Sequence, residues 1–385
     1  MRNKKILLAL VILITFIGGI LIGFYFSSTH THTLSIKPSP KSRIKPEEKE
    51  MPKVDKIHSK VLEGYVQDFR DPNQLDYSKL THVIFSFVHP TKEGGILYNG
   101  EPALKNLRTT VSLAKKNHTK VLVAIGGWFH INGGESYPYF KAAISNPTAR
   151  TRLVHELASF ADREHLDGVD IDFEHPHSTE DAKNLAAFAK ELGGVLHPKN
   201  KELSVAVYSK IHAVTLTETG FVKYDPSMFQ AVDHVNIMAY DGQWDDGYHP
   251  ENLSTYPFAE KIVNYWADYF DQLHVPKEKL VLGVPLYAQP ENPKIKQVSF
   301  AAIIKQHPED ASKDTVNMNG TTYYYNGEVT MEKKTTFALD HGFGGMMMWE
   351  AGHDAKGPMS ITSTLYHTMA NSSKEPVKYY TAKTN

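Results

Sequence analysis

The sequence predicts an α/β chain folded as a (β/α)8 TIM barrel, and three observations carry that prediction. Eight short runs rich in apolar and β-branched residues recur along the chain. Most are separated by segments with apolar residues at helical spacing, several with visible caps. The alternation is sustained over roughly 310 residues, the span of a barrel of eight βα units. A doubly wound open sheet is the alternative, but no Gly-rich phosphate loop follows the first run.

Before the barrel, Arg2, Lys4 and Lys5 precede an uncharged apolar run from Ile6 to Phe26. That run can cross a bilayer core as a helix, and the basic cluster should keep the N-terminus cytoplasmic. Residues 1–27 are therefore expected to be a transmembrane signal-anchor, with a cleaved signal peptide as the alternative. Residues 28–58 are polar, with Pro38, Pro40, Pro46 and Pro52 among Lys and Glu residues, and read as a flexible linker. A domain over 59–372 follows, expected outside the cytoplasm (periplasm, cell surface or secreted), and 373–385 reads as a C-terminal tail.

Within that domain the expected strands are Val61–Val66, Thr81–Val88, Lys120–Ile125 and Gly168–Glu174, then Leu203–Tyr208, His234–Tyr240, Leu280–Tyr287 and Gly345–Trp349. Asn146 followed by Pro147 caps a helix running to about Glu164. Ser178 with Asp181 at the reach-back position opens another, to Leu196. Pro257 to Phe270 is amphipathic, with Ile262, Tyr265, Trp266 and Tyr269 on one face. Between Gln289 and the last strand a short insertion holds Tyr323, Tyr324 and Tyr325. Asn326-Gly327 beside them is a hairpin signal, and packing is the expected role of the tyrosines.

Composition narrows the function. The formal net charge over 385 residues is -1, so no basic field attracts nucleic acid. There is no cysteine, which removes disulfides, thiolate nucleophiles and Cys-ligated metals. No metal site is expected either: the histidines are scattered, and His175 and His177 flank Pro176 without a third ligand at useful spacing.

The fourth strand carries the chemistry. Asp170, Asp172 and Glu174 share one parity and project to one side, while Val169, Ile171 and Phe173 project to the other. Asp167 has the opposite parity and belongs to the start of the strand. Such a row suits an exposed acidic edge, a magnesium or calcium site, or a catalytic row in a barrel opening into a cleft. An EF-hand fails, because it needs a loop with Gly at its sixth position. The barrel prediction favours catalysis, since barrel active sites lie at the C-terminal ends of the strands. Gly126-Gly127-Trp128, Glu174, Tyr240-Asp241 with Trp244, Tyr287 and Trp349-Glu350 fall at those ends. Three of the four Trp residues at one mouth suit the apolar faces of sugar rings; the fourth, Trp266, reads as core.

Four motifs then resemble one family. Asp167-x-x-Asp170-x-Asp172-x-Glu174 matches the DxxDxDxE signature of glycoside hydrolase family 18, the chitinase family. Ala124-Ile125-Gly126-Gly127-Trp128 resembles its SxGG strand, Met238-Ala239-Tyr240-Asp241 its MxYD strand, and Gly344–Glu350 its closing strand. The resemblance implies retaining hydrolysis of β-1,4 bonds after N-acetylglucosamine, with the substrate's acetamido group as nucleophile, through an oxazolinium intermediate and without a cofactor. It implies Glu174 as acid and base, Asp172 as partner of the acetamido N–H, Asp170 behind it sharing a proton, and Tyr240 orienting the acetamido carbonyl. It further implies Trp349 as a hydrophobic floor and Asp241 as a sugar contact. Met238, Tyr65, Phe87, Gly127, Trp128, Trp244 and Tyr287 complete the expected substrate-binding set.

Departures from the family pattern are local. Ala124 replaces the Ser of SxGG, leaving Tyr65 to hold the inner aspartate. His175 stands where an aromatic residue commonly follows the acid, and Ala288-Gln289 replaces a frequent Gly-Arg. Many members carry a complete α+β domain before the last strand; the short insertion here predicts a shallower, more open groove. The expected partner is chitin or another N-acetylglucosamine-containing glycan, bound by a monomer. An endo-β-N-acetylglucosaminidase acting on N-linked glycans and a non-catalytic chitin-binding lectin are the alternatives. A peptidoglycan-directed role fits less well, because such relatives often carry Asn at the position of Asp170.

Overall fold

The computed structural model describes residues 60–372. The expected anchor, linker and C-terminal tail lie outside these residues. Among the described residues no helix is long and apolar enough to cross a membrane.

The strands are β1 Val61–Gln67, β2 His82–Pro90, β3 Ile96–Leu97, β4 Lys120–Gly126, β5 Gly168–Asp172, β6 Glu202–Tyr208, β7 His234–Met238 and β8 Leu280–Pro285. They continue as β9 Tyr287–Pro290, β10 Val298–Ser299, β11 Thr315–Met318, β12 Thr321–Tyr324 and β13 Gly345–Trp349. Eight of them, in the order β1-β2-β4-β5-β6-β7-β8-β13, pair in parallel, and pairing of β13 with β1 closes the ring. All eight expected strands are present. Two are shorter at their C-terminal ends: β5 stops at Asp172 and β7 at Met238, so Glu174 and Tyr240 stand just beyond the pleated backbone. The seventh expected strand, Leu280–Tyr287, is also corrected, since β8 ends at Pro285 and Tyr287 belongs to β9.

The helices are α1 Gly100–Lys116, α2 Tyr137–Ser145, α3 Pro147–Arg163, α4 Thr179–Leu196, α5 Ser227–Ala231, α6 Tyr256–Leu273, α7 Phe300–Gln306, α8 Glu328–Asp340 and α9 Ile361–Ser372. The predicted caps form. Asn146 accepts from the N–H groups of Thr148 and Ala149, and Ser178 and Asp181 make a reciprocal capping box. The first βα unit departs from the ideal: only a short 3-10 turn, Pro72–Gln74, lies between β1 and β2.

Two apolar cores follow from strand parity. Outward-facing Val169, Ile171 and Phe173 join the layer between sheet and helices. Trp266 is fully buried there and donates its indole N–H to the Ser209 carbonyl at 3.1 Å. The barrel interior holds a second cluster of Tyr65, Ile84, Leu122, Ala124, Val281 and Met347, with Tyr240 on top of it. Phe87, Met238 and Trp349 pack against this cluster at the mouth.

The insertion is more ordered than expected. Strands β10-β9-β12-β11 form a four-stranded antiparallel sheet that, with α7, makes a small α+β unit. Its hairpin turns at Asn319-Gly320, where both residues are left-handed (φ 54° and 76°). Asn326-Gly327, the expected turn, instead leads into α8, and the Gly327 N–H donates to Asp314 Oδ1 at 2.9 Å. Tyr323 and Tyr325 are buried, and their hydroxyls donate to the Lys296 and Asp310 carbonyls, so packing is their role.

Candidate active site

Parity on β5 brings Asp170 and Asp172 into the barrel, and the chain leaves the strand with Glu174 at the mouth. Asp167 is structural, as its parity required: its Oδ2 accepts from the Val121 N–H at 2.8 Å. Asp170 is fully buried and well partnered. Tyr65 donates to its Oδ2 at 2.7 Å, Ser204 to its Oδ1 at 2.6 Å, and Asn236 to the same oxygen at 3.4 Å. Burial lifts its pKa to about 6, held down by the Ser204 and Tyr65 hydroxyls.

Ser204 and Asn236 were not among the expected site residues. Each is a polar residue in the middle of an otherwise apolar stretch of its strand, with the same inward parity as Tyr208 and Tyr240 respectively. Together with Tyr65 they replace the hydroxyl that Ala124 lacks. We expect Ser204→Ala to raise the Asp170 pKa further and to move the acidic limb of the pH–rate profile up by about one unit. Turnover near neutrality should fall several-fold, and Ser204→Thr should restore both.

Asp172 is the strained member of the row. It is 4% exposed, and its Oδ1 is buried without a hydrogen-bond partner. Burial, then the charges of Glu174 and Asp170, push its pKa well above the carboxylate range. Glu174 keeps 19% of its side chain exposed. Burial, then the charge of Asp241, raises its pKa to about 8, with the Trp128 N–H pulling slightly the other way. Like-charged carboxyls this close cannot all ionise at neutral pH, so the row carries protons there.

The walls come from neighbouring strands. Gly126 ends β4 and Gly127 follows it, with φ of 116° and 76°, and the Gly127 N–H donates to the Asp172 carbonyl at 3.0 Å. A Cβ at Gly126 would lie 2.2 Å from that same carbonyl oxygen, so the close approach requires glycine. Trp128 is 45% exposed and meets the His175 ring edge-on at 4.5 Å. His175 Nδ1 stands 3.9 Å from Glu174 Oε2, and burial, then His177, lowers its pKa to about 4, so it is neutral through the working range. A cavity of about 230 Å³ flanks Glu174 here, lined by Trp128, Glu135, Tyr137, His175 and His177 among others.

On the floor, Trp349 stacks on Phe87 at 5.8 Å and tilts against Tyr65 at 5.5 Å. Tyr240 is 8% exposed, with its hydroxyl 4.0 Å from Met347 Sδ. Asp241, left-handed at φ 64°, is exposed in the cleft and accepts from Tyr287 at 2.5 Å and Gln243 at 3.0 Å.

Tyr65 and Tyr287, expected as sugar contacts, are 2% and 3% exposed, and their hydroxyls donate to Asp170 and Asp241. Trp244 is 62% exposed with its ring 5.0 Å from Tyr248, at the outer edge of the arrangement. Phe69, Phe129 and Phe221, not singled out from the sequence, are also strongly exposed, on the loops after β1, β4 and β6.

The model of the glycosyl hydrolases family 18 matches residues 61–354. The chain is 27% identical over 286 residues to the probable chitinase 10 of Drosophila melanogaster; the match covers 65% of this chain and 12% of that protein. It is 25% identical over 364 residues to chitinase 1 of Aphanocladium album, covering 80% of this chain and 83% of the relative. Among solved structures, a chitinase from Bacteroides thetaiotaomicron superposes with a TM-score of 0.68 at 25% identity, covering 83% of this chain and 99% of the other.

Proposed function

The chain belongs to glycoside hydrolase family 18, and from that premise we propose that it hydrolyses β-1,4 bonds after N-acetylglucosamine in chitin or chitooligosaccharides, with retention, by substrate-assisted catalysis. The observation that carries this reading is the graded row itself. A largely buried Glu174 with its pKa raised to about 8 stands beside a buried Asp172 that has an unpartnered oxygen.

Glu174, protonated at neutral pH, donates to the leaving glycosidic oxygen as the bond to the anomeric carbon breaks. The acetamido carbonyl oxygen attacks that carbon from the opposite face, with the Tyr240 hydroxyl donating to it. Asp172 accepts from the acetamido N–H, and its negative charge offsets the positive charge on the oxazolinium ring. Asp170, anchored by three donors, stays in place while the shared proton redistributes between it and Asp172. Glu174, now a carboxylate, removes a proton from the incoming water, whose oxygen opens the ring and restores the starting configuration. Trp349 with Phe87 supplies the apolar floor under the sugar.

The second enzymatic reading is cleavage of the two-sugar core of N-linked glycans, which uses the same motif set. A lectin-like role is disfavoured by the presence of Glu174 with its pKa raised into the range of a general acid. The test is chitotetraose beside a high-mannose glycopeptide, with products separated and the first-formed anomer read by NMR. β-Configured N-acetylglucosamine oligomers from chitotetraose are the expected result. Release from the glycopeptide alone would favour the second reading, and binding without turnover the lectin.

The basic residues and apolar run at residues 2–26 support a membrane-anchored form with the barrel outside the cytoplasm, where such glycans occur. Fractionation of expressing cells, with protease access to intact cells, tests it; a barrel found in the cytosol would sink the idea.

A further inference from the structure

The barrel gathers three separated side chains at the face opposite its mouth. His82, Glu202 and His234 are the first residues of β2, β6 and β7, and one potential ligand atom from each lies within 4.8 Å of the others. His82 Nε2 and Glu202 Oε2 are 2.9 Å apart. The His82 and His234 rings meet edge-on, with centroids 5.5 Å apart. The far nitrogen of His82, Nδ1, is 2.8 Å from Thr81 Oγ1, which fixes the ring with Nε2 toward Glu202. A second partner of this kind is what orients a metal-ligating imidazole.

Two polar atoms at this end of the barrel have no partner. His234 Nδ1 is buried without a hydrogen bond, and so is Oε2 of Glu63. Glu63 is 1% exposed and stands in register with His82. Buried polar atoms left unpaired are rare and call for an explanation, an ion or its water among them. Lys120 occupies only one side of the cluster: it bonds Glu202 Oε1 from the solvent rim, leaving Oε2 on the His82 side.

We propose that His82, Glu202 and His234 form a divalent transition-metal site that braces the barrel floor. Two imidazole nitrogens and one carboxylate oxygen suit zinc, whereas magnesium and calcium take all-oxygen sets. The fourth position falls to a water, which the unpartnered Glu63 Oε2 on the neighbouring β1 can hydrogen-bond. Glu202, with 22% of its side chain exposed, leaves a path from solvent. β6 and β7 are neighbours but β2 lies elsewhere in the ring, so the ion ties β2 to two strands with which it shares no ladder. Binding to the folded chain alone stabilises it by mass action, apart from the chemistry at the other end.

The test uses the full chain, stripped with a chelator and dialysed against Zn²⁺ or Mg²⁺. Bound metal is measured per chain, together with the melting temperature and turnover of chitotetraose. The expected result is one zinc retained, no magnesium, and a rise in melting temperature on the order of 5 °C. His234→Asn should weaken zinc binding at least tenfold and abolish the rise, with kcat at 25 °C unchanged. Retention of zinc by the variant as by the wild type would place the ion elsewhere and overturn the proposal. No zinc retained would overturn it too, leaving a salt-bridge network of His82, Glu202 and Lys120. Should His234→Asn not fold, Co²⁺ absorption of the wild type decides: strong visible bands of a four-coordinate site lost in Glu202→Gln support the site, and their absence rejects it.

Discussion

Glu174→Gln is expected to lower kcat by about 10²–10⁴-fold while leaving oligosaccharide affinity within a few-fold. The amide keeps the shape of the acid and loses its proton. Initial rates on chitotetraose with calorimetric binding of the same ligand check this, and turnover near the wild-type rate would remove Glu174 from the acid's role. The same pKa fixes a pH dependence: wild-type activity should fall as pH rises through about 8, where Glu174 loses its proton. Its stability sign is opposite to that of an ordinary salt-bridged carboxylate. The folded state holds the proton up to about 8, whereas the unfolded chain gives it up near 4.5. Stability therefore declines as pH rises between those values, by a few kcal/mol for a shift of this size (about 1.4 kcal/mol per unit). Glu174→Gln should escape that decline and melt higher than the wild type near pH 8.

Asp172→Asn is expected to reduce kcat by about 10²–10³-fold, the usual cost of losing one group that stabilises transition-state charge. Its amide also offers a donor where the acetamido N–H needs an acceptor. Because the loss falls on the charged intermediate, kcat should drop far more than KM rises. An effect confined to KM would assign Asp172 to binding alone. The variant should also melt higher at alkaline pH, since an amide does not ionise where burial and the charges of Glu174 and Asp170 oppose the Asp172 carboxylate.

Strand parity made most of this architecture readable. A period of two separates Asp170, Asp172 and Glu174 from Val169, Ile171 and Phe173, and local caps mark the helices at Asn146 and Ser178. What parity does not reveal is which strands face each other across a closed ring. Ser204 is the register partner of Asp170 on the adjacent β6, but Asn236 reaches Asp170 from β7, and His82 meets Glu202, only because the sheet closes into a ring. Strand ends were also hidden, because the ladder stops before the inward parity does at Asp172 and Met238. The two Asn-Gly pairs illustrate a third limit. Both carry the hairpin dipeptide, yet only Asn319-Gly320 is flanked by two strands free to pair.

The small sheet before the last strand looks like a removable cassette, and for protein engineering its boundaries matter. It resumes as β9 one residue after β8 ends, and its first residue, Tyr287, supplies the hydroxyl that holds Asp241. A second tie is the Tyr248 hydroxyl, which donates to the Pro290 carbonyl at 2.5 Å. A graft that exchanges the whole segment between relatives thus carries away part of the catalytic wall. The splice point that respects the chemistry lies after Pro290, so the natural seam of this module is set by a side chain and not by the end of a barrel strand.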